Sequence, residues 1–169
     1  MPPALVLIGP SGAGKSTLLR ALTEQLPELR AVRTITTRPR RSGETSDTHQ
    51  FVTPAEFALH RAEALGVHQH YGYDYALPQL DHGDVPVATC LRAVVLGRLR
   101  ELHPDLQVVA VEAPVPELID RLQRRGDLER AEPEVLAAEI ELGRRLADQV
   151  LDTRDPVEVC VRRILELWP

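Results

Sequence analysis

Gly9-Pro10-Ser11-Gly12-Ala13-Gly14-Lys15-Ser16-Thr17 fits the pattern G-x-x-x-x-G-K-[ST], and Lys15 is the only lysine in a chain whose other basic residues are all arginine. Glycines at these spacings let a backbone bend tightly and aim its N–H groups at one point, which suits a phosphate. A compact ammonium on a flexible stem reaches between phosphates where a planar guanidinium would not. By that chemistry Gly9, Ser11, Gly12, Ala13, Gly14, Lys15, Ser16 and Thr17 are expected to bind the phosphates of a nucleotide. Ser16 is expected to give its hydroxyl to Mg²⁺.

Such a loop works only between a strand and a helix. Ala4-Leu5-Val6-Leu7-Ile8 reads as a strand buried on both faces, and Leu18, Leu19, Leu22 and Leu26 recur at helical spacing as far as Pro27. The order strand, turn, helix puts the positive helix end at the phosphates.

A second concentration of charge follows in Thr36-Thr37-Arg38-Pro39-Arg40-Arg41-Ser42-Gly43-Glu44. Arginines this close in a turn offer forked donors to another phosphate or carboxylate. A solvated charged turn is the plainer alternative. His68-Gln69-His70 could set two imidazoles on one side of an extended segment, but no third ligand has metal-site spacing, so structural histidines are expected.

The rest of the chain supplies alternating strands and helices. Ala31-Val32-Arg33 reads as a short strand, Thr34 to Gly43 as a polar segment, and Pro54 to Arg61 as a helix capped by Thr53. Val67 to Pro78 holds all three tyrosines and reads as a small, partly β insertion. Then come a strand at Val85–Cys90, a helix at Leu91–Leu102, a strand at Leu106–Val111 and a helix at Pro116–Arg125. A charged turn runs from Gly126 to Pro133, and a long helix continues to about Asp148. Gln149–Asp152 reads as a strand, and a last helix starts at Pro156 and ends near Trp168. This pattern predicts a three-layer α/β fold with a parallel core sheet and its ligand at the end of the first strand.

The 169 residues, 43% hydrophobic and 27% charged, suit one domain. A net charge of -5 argues against an electrostatically driven nucleic-acid binder. No segment approaches the length of a membrane span or has the form of a leader. Cys90 and Cys160 lie far apart in apolar stretches and read as buried hydrophobes, so a cytoplasmic setting is expected. The oligomeric state is left open.

With these residues in view, the chain resembles the guanylate-kinase-like family of P-loop kinases along nearly its whole length. The likeness runs through Gly9–Thr17, Thr34–Glu44, Phe51-Val52-Thr53-Pro54-Ala55-Glu56-Phe57 and Ala113-Pro114 to Arg125-Gly126. It implies a core (residues 1–33 and 83–169), an acceptor-binding insertion (34–82) and a lid (125–136). It further implies that Arg38, Arg41, Glu44, His49 and Tyr75 serve the phosphate of a small acceptor. Lys15, Arg38, Arg121 and Arg125 would serve phosphoryl transfer, with Arg124 ending the same helix. Guanylate kinases read guanine with two acidic side chains, at positions held here by Gly66 and Cys90. A further family arginine corresponds to Glu139, and an adenine-reading asparagine to the Thr153-Arg154 stretch.

Within the same superfamily, Val32–Pro39, Glu56-Phe57, Leu91-Arg92-Ala93-Val94 and Val108–Pro114 look like the ribose 1,5-bisphosphate phosphokinases. Their acceptor has no base to read, and Arg92 would meet its extra phosphate. The expected function is therefore an ATP- and Mg²⁺-dependent kinase acting on a phosphorylated small molecule. Guanylate kinase is one alternative, and a non-catalytic nucleotide-binding or interaction module of the same fold is another.

Overall fold

Alternation along β1 (Ala4–Ile8) divides the core: Leu5 and Leu7 enter one apolar cluster, while Ala4, Val6 and Ile8 enter another. Period-two side chains on a strand covered on both faces require helices on each side. The computed structural model describes residues 4–80 and 83–168, so the boundary expected after His82 lies outside the described residues.

Five parallel strands form the core sheet in the order β2-β7-β1-β8-β9, comprising β2 (Arg30–Ala31), β7 (Val87–Leu91), β8 (Gln107–Glu112) and β9 (Gln149–Asp152) around β1. On one face, α1 (Lys15–Gln25) packs Leu18, Leu19 and Leu22 against Leu118 and Leu122 of α4 (Val115–Arg124) and Val161 and Ile164 of α6 (Val157–Leu167). Truncating one such buried leucine to alanine costs about 2–5 kcal/mol. The other face carries Leu96 and Leu99 of α3 (Leu96–Leu102). The fold is thus the expected three-layer α/β arrangement with a parallel core.

A second sheet, ordered β4-β3-β6-β5, stands beside the first. It contains β3 (Thr34–Thr36), β4 (His49–Phe51), β5 (Gly66–His70) and β6 (Tyr73–Leu77), with α2 (Pro54–Arg61) between β4 and β5. The β5–β6 hairpin turns at Tyr71-Gly72, both at positive φ (48° and 77°), as a tight two-residue turn requires. Helix α2 begins with a capping box: Thr53 Oγ1 accepts from the Glu56 N–H, and the Glu56 carboxylate accepts from the Thr53 N–H.

Several boundaries differ from expectation. Thr34–Thr36, read as the start of a polar segment, is a buried strand of the second sheet, because its ladder partners lie far along the chain. Val85 stays outside β7 and is 39% exposed, whereas Leu91, expected in a helix, is the last strand residue and pairs with Ile8. The following helix opens as a 3₁₀ turn at Ala93–Val95. The long helix, α5 (Pro133–Leu146), stops short of Asp148, whose backbone and carboxylate bond Val108 instead. Among the described residues, no helix is long and apolar enough to cross a membrane.

Candidate active site

The loop after β1 is shaped by positions where a side chain has no room. A Cβ at Gly9, where φ is +146°, would lie 2.1 Å from the Val111 carbonyl oxygen of β8. Gly14 is the N-cap of α1 at φ 96° and supplies no side-chain cap. The first N–H groups of the helix are thereby left to a ligand. Ala13 instead points into the core and is fully buried.

Lys15 folds back over this loop, its Nζ donating to the carbonyls of Gly9 (2.7 Å) and Pro10 (2.8 Å). Burial lowers its amine to about 8, an effect opposed by nearby Glu139 and reinforced by Arg92 and Arg125. Ser16 Oγ faces the same space, 3.4 Å from Thr48 Oγ1, which in turn meets His49 Nδ1 at 2.8 Å.

A cleft of about 170 Å³ opens beside the loop, lined by Gly9, Ser11, Gly12, Gly14, Lys15, Ser16 and Thr17. Facing them are Arg38, Arg41, His49, Tyr75, Arg92 and Arg125. The core sheet's carboxyl end and the second sheet supply the two walls.

Arg38 is only 4% exposed and is gripped by both oxygens of Glu44, which also accepts from the Arg41 N–H. Burial alone would raise the Glu44 carboxyl, but these hydrogen bonds prevail and hold it at about 2. Glu44 therefore stands behind Arg38 rather than lining the cleft. The guanidinium of Arg38 also lies 5.1 Å from the Phe51 ring centre, a cation–π contact that fixes its plane.

His68 and His70 do share one side of β5, against Tyr75: the His68 and Tyr75 rings stack at 5.2 Å. Burial, with Arg92 nearby, lowers His68 to about 4 and His70 to about 3, so both are neutral near pH 7. Burial and Arg38 likewise take His49 to about 4. Among the described residues, no group of three His, Cys, Asp or Glu side chains could hold a metal ion. Cys90 and Cys160 are buried free thiols, and burial raises Cys90 to about 12.

Arg92 lines the cleft in an ion pair with Glu139 of α5. Arg121 is placed elsewhere. It donates to Thr153 Oγ1 (2.8 Å) and the Thr153 carbonyl (3.1 Å), lining an adjoining cavity that shares Gly12, Gly14, Thr17 and Arg125 with the cleft. Arg124 is exposed and pairs with Asp120, outside both cavities.

Two residues that sequence reading passed over meet here. Asp127, 6% exposed, receives Arg41 at 2.6 Å, Arg125 at 3.0 Å and Arg130 at 3.7 Å. Arg130, on the 3₁₀ turn Leu128–Arg130, is buried and donates to Tyr75 Oη at 2.9 Å. Both sit in a stretch whose charge density resembles a solvated turn, and the cleft partners that distinguish them, Arg41 for Asp127 and Tyr75 for Arg130, lie far back along the chain.

The described charges do not balance. Arg92 has Glu139, but Arg38, Arg41, Arg125 and Arg130 share two carboxylates, Glu44 and Asp127, and Lys15 has only carbonyls. Enclosed positive charge without counter-charge is costly, and a bound anion relieves it. This arrangement is suited to phosphate groups on both the loop and the second-sheet side.

Comparison with known proteins agrees with this architecture. A sequence family described as an AAA domain matches residues 5–150. The chain is 34% identical over 138 residues to a ribose 1,5-bisphosphate phosphokinase of Ruegeria sp. (strain TM1040), covering 78% of this chain and 72% of that relative. It is 33% identical to a guanylate kinase of Frankia casuarinae (strain DSM 45818 / CECT 9043 / HFP020203 / CcI3), covering 96% and 94%. The crystal structure of guanylate kinase from Anaplasma phagocytophilum matches with a TM-score of 0.73 over 98% of this chain and 84% of that one, a likeness of fold at 22% identity. With its loop, parallel core and these relatives, the chain belongs to the guanylate kinase and ribose 1,5-bisphosphate phosphokinase family of P-loop kinases and is a phosphotransferase.

Proposed function

We propose that this kinase transfers the γ-phosphoryl group of ATP to a phosphate oxygen of ribose 1,5-bisphosphate, giving phosphoribosyl pyrophosphate and ADP. The observation that carries the reading is the cation imbalance of the cleft, with Lys15 on the loop side and Arg41 across from it. On this reading residues 34–82 carry the acceptor, with its phosphate at Arg38, Arg41 and Tyr75, and residues 125–136 close over it.

The loop amides and Lys15 hold the donor phosphates, and Arg125 faces the charge that develops between donor and acceptor. The bond from γ-phosphorus to the β-bridging oxygen breaks while a bond to the acceptor oxygen forms. Positioning and charge stabilisation supply most of the acceleration in such a transfer. The Ser16 hydroxyl, open to the cleft and 3.4 Å from Thr48 Oγ1, would fit among the ligands of a Mg²⁺ ion. When bound, that ion would neutralise phosphate charge. Arg121 and Thr153 then flank the nucleoside end of the donor in the adjoining cavity.

Ribose 1,5-bisphosphate is favoured because Cys90, a protonated thiol, stands where a guanine-reading carboxylate would, and because Arg92 lies in the cleft for a second phosphate. Guanosine monophosphate is the second reading. The guanylate kinase relatives support it, as does Glu139, the only acidic residue lining the cleft among the described residues.

The test is ADP release from ATP and Mg²⁺ with each acceptor in parallel, using Lys15→Ala as control. Turnover of the sugar bisphosphate alone is expected. Turnover of guanosine monophosphate alone would overturn the choice of acceptor, and silence with both would overturn the kinase reading of this cleft.

A further inference from the structure

Arg130 is the most enclosed cation of the cleft wall that has no carboxylate to itself. It is 7% exposed, its guanidinium lies 5.4 Å from the Tyr71 ring centre, and its Nη2 donates to Tyr75 Oη at 2.9 Å. Its Nε is buried with no hydrogen-bond partner, and Asp127 Oδ1 lies 3.7 Å away, beyond hydrogen-bond reach. That carboxylate is already engaged by Arg41 and Arg125. A phenol and an aromatic face stabilise a guanidinium but do not neutralise it.

The Tyr75 hydroxyl sharpens the point. Since it accepts from Arg130, its own proton is left to donate elsewhere. Arg130, Tyr75 and Arg41 thus offer donors to one region of the cleft from three separate segments of chain. On α5, the position facing the cleft is Glu139, which is spent on Arg92 and brings no positive charge.

We propose that Arg130 is a further substrate-binding and catalytic residue: it contacts the phosphate of the acceptor together with Arg41 and Tyr75. The inference rests on the kinase reading above for the identity of that phosphate's carrier. It places in the segment after α4 the positive charge that α5 does not supply.

Two measurements test it. The first is binding of inorganic phosphate to the full chain saturated with Mg²⁺ and a non-hydrolysable ATP analogue, for wild type, Arg130→Lys and Arg130→Met. Loss of a charge-assisted donor should weaken phosphate about 10- to 100-fold in Arg130→Met, with Arg130→Lys recovering part of it. Nucleotide affinity should stay within about twofold, because the donor phosphates lie on the loop. The second is turnover of ribose 1,5-bisphosphate, in which the acceptor kcat/KM should fall about 100-fold in Arg130→Met while the KM for ATP holds, with added guanidinium ion restoring part of the rate.

Phosphate binding in Arg130→Met equal to wild type would overturn the proposal. So would Arg130→Lys losing phosphate and nucleotide affinity together, which marks a merely structural residue, and this arm stands even if Arg130→Met fails to fold. If wild type turns over no sugar bisphosphate while phosphate binding still depends on Arg130, the choice of acceptor fails and the role of Arg130 stands.

Discussion

Both terminal nitrogens of Arg38 are held by Glu44, Nη1 to Oε2 at 2.9 Å and Nη2 to Oε1 at 2.7 Å. The pair fixes the guanidinium plane before any substrate arrives. Glu44→Gln leaves a buried cation half-partnered, so a stability loss of about 2–3 kcal/mol in urea unfolding is expected, with the acceptor KM raised about tenfold. The carboxyl sits at about 2 in the fold against an ordinary 4.5, so its contribution is complete above pH 4.5 and disappears as pH falls through 2. The gap between wild type and variant should therefore narrow in acid; a gap constant from pH 7 to pH 3 would contradict the role given to this ion pair.

Lys15 predicts a proton signal on nucleotide binding. Its amine lies at about 8 in the ligand-free protein, and phosphates beside it must raise that value. Binding at pH 8 should take up about half a proton, and at pH 6.5 almost none from this group. Calorimetry in two buffers of different ionisation enthalpy reads the uptake directly. A value unchanged between the two pH values would show that the amine does not meet the phosphates.

Gly9→Ala should be the most damaging single-carbon change in the chain. The added Cβ would overlap the Val111 carbonyl in a backbone conformation that L-residues avoid, so the loop or β8 must shift. A loss of about 3 kcal/mol or more in stability is expected, together with loss of nucleotide binding. Full nucleotide affinity in a folded Gly9→Ala protein would refute the tight approach of loop to strand.

Three cleft histidines make the fold acid-sensitive. His49, His68 and His70 lie at about 4, 4 and 3 against an ordinary 6.5, because burial disfavours their charged forms. The unfolded chain thus binds more protons as pH drops below 6.5, and stability present above that value is lost progressively as pH falls toward 3. Unfolding free energies at pH 7 and pH 5 should differ by roughly 2–4 kcal/mol after discounting for partial exposure. His68→Gln should remove about a third of that difference, and an unchanged pH response would show that His68 titrates normally.

How much of this was written in the chain depends on how local each cause is. The phosphate loop and the capped helix from Pro54 to Arg61 were legible because glycine conformation and capping act within a few residues. The strand Thr34–Thr36 was not, since its pairing with β4 and β6 comes from His49–Phe51 and Tyr75-Ala76, well beyond any local window. Arg38 and Arg41 were readable as a fork of donors, yet their partners Glu44 and Asp127 decide which of them keeps free charge. Arg121 was expected beside the transferring group, but Thr153, 32 residues later, draws it into the adjoining cavity. Arg130 gave no signal, because a charged turn looks the same whether water or a tyrosine hydroxyl meets it.

The depressed amine of Lys15 also makes this protein a single-site target for covalent labelling. No other side chain carries a primary amine, and one that lies at about 8 is largely uncharged, hence nucleophilic, in mild alkali. Amine-selective reagents therefore have one side-chain destination, at the centre of the phosphate loop. A reporter attached there would register occupancy of the cleft by its own displacement or protection.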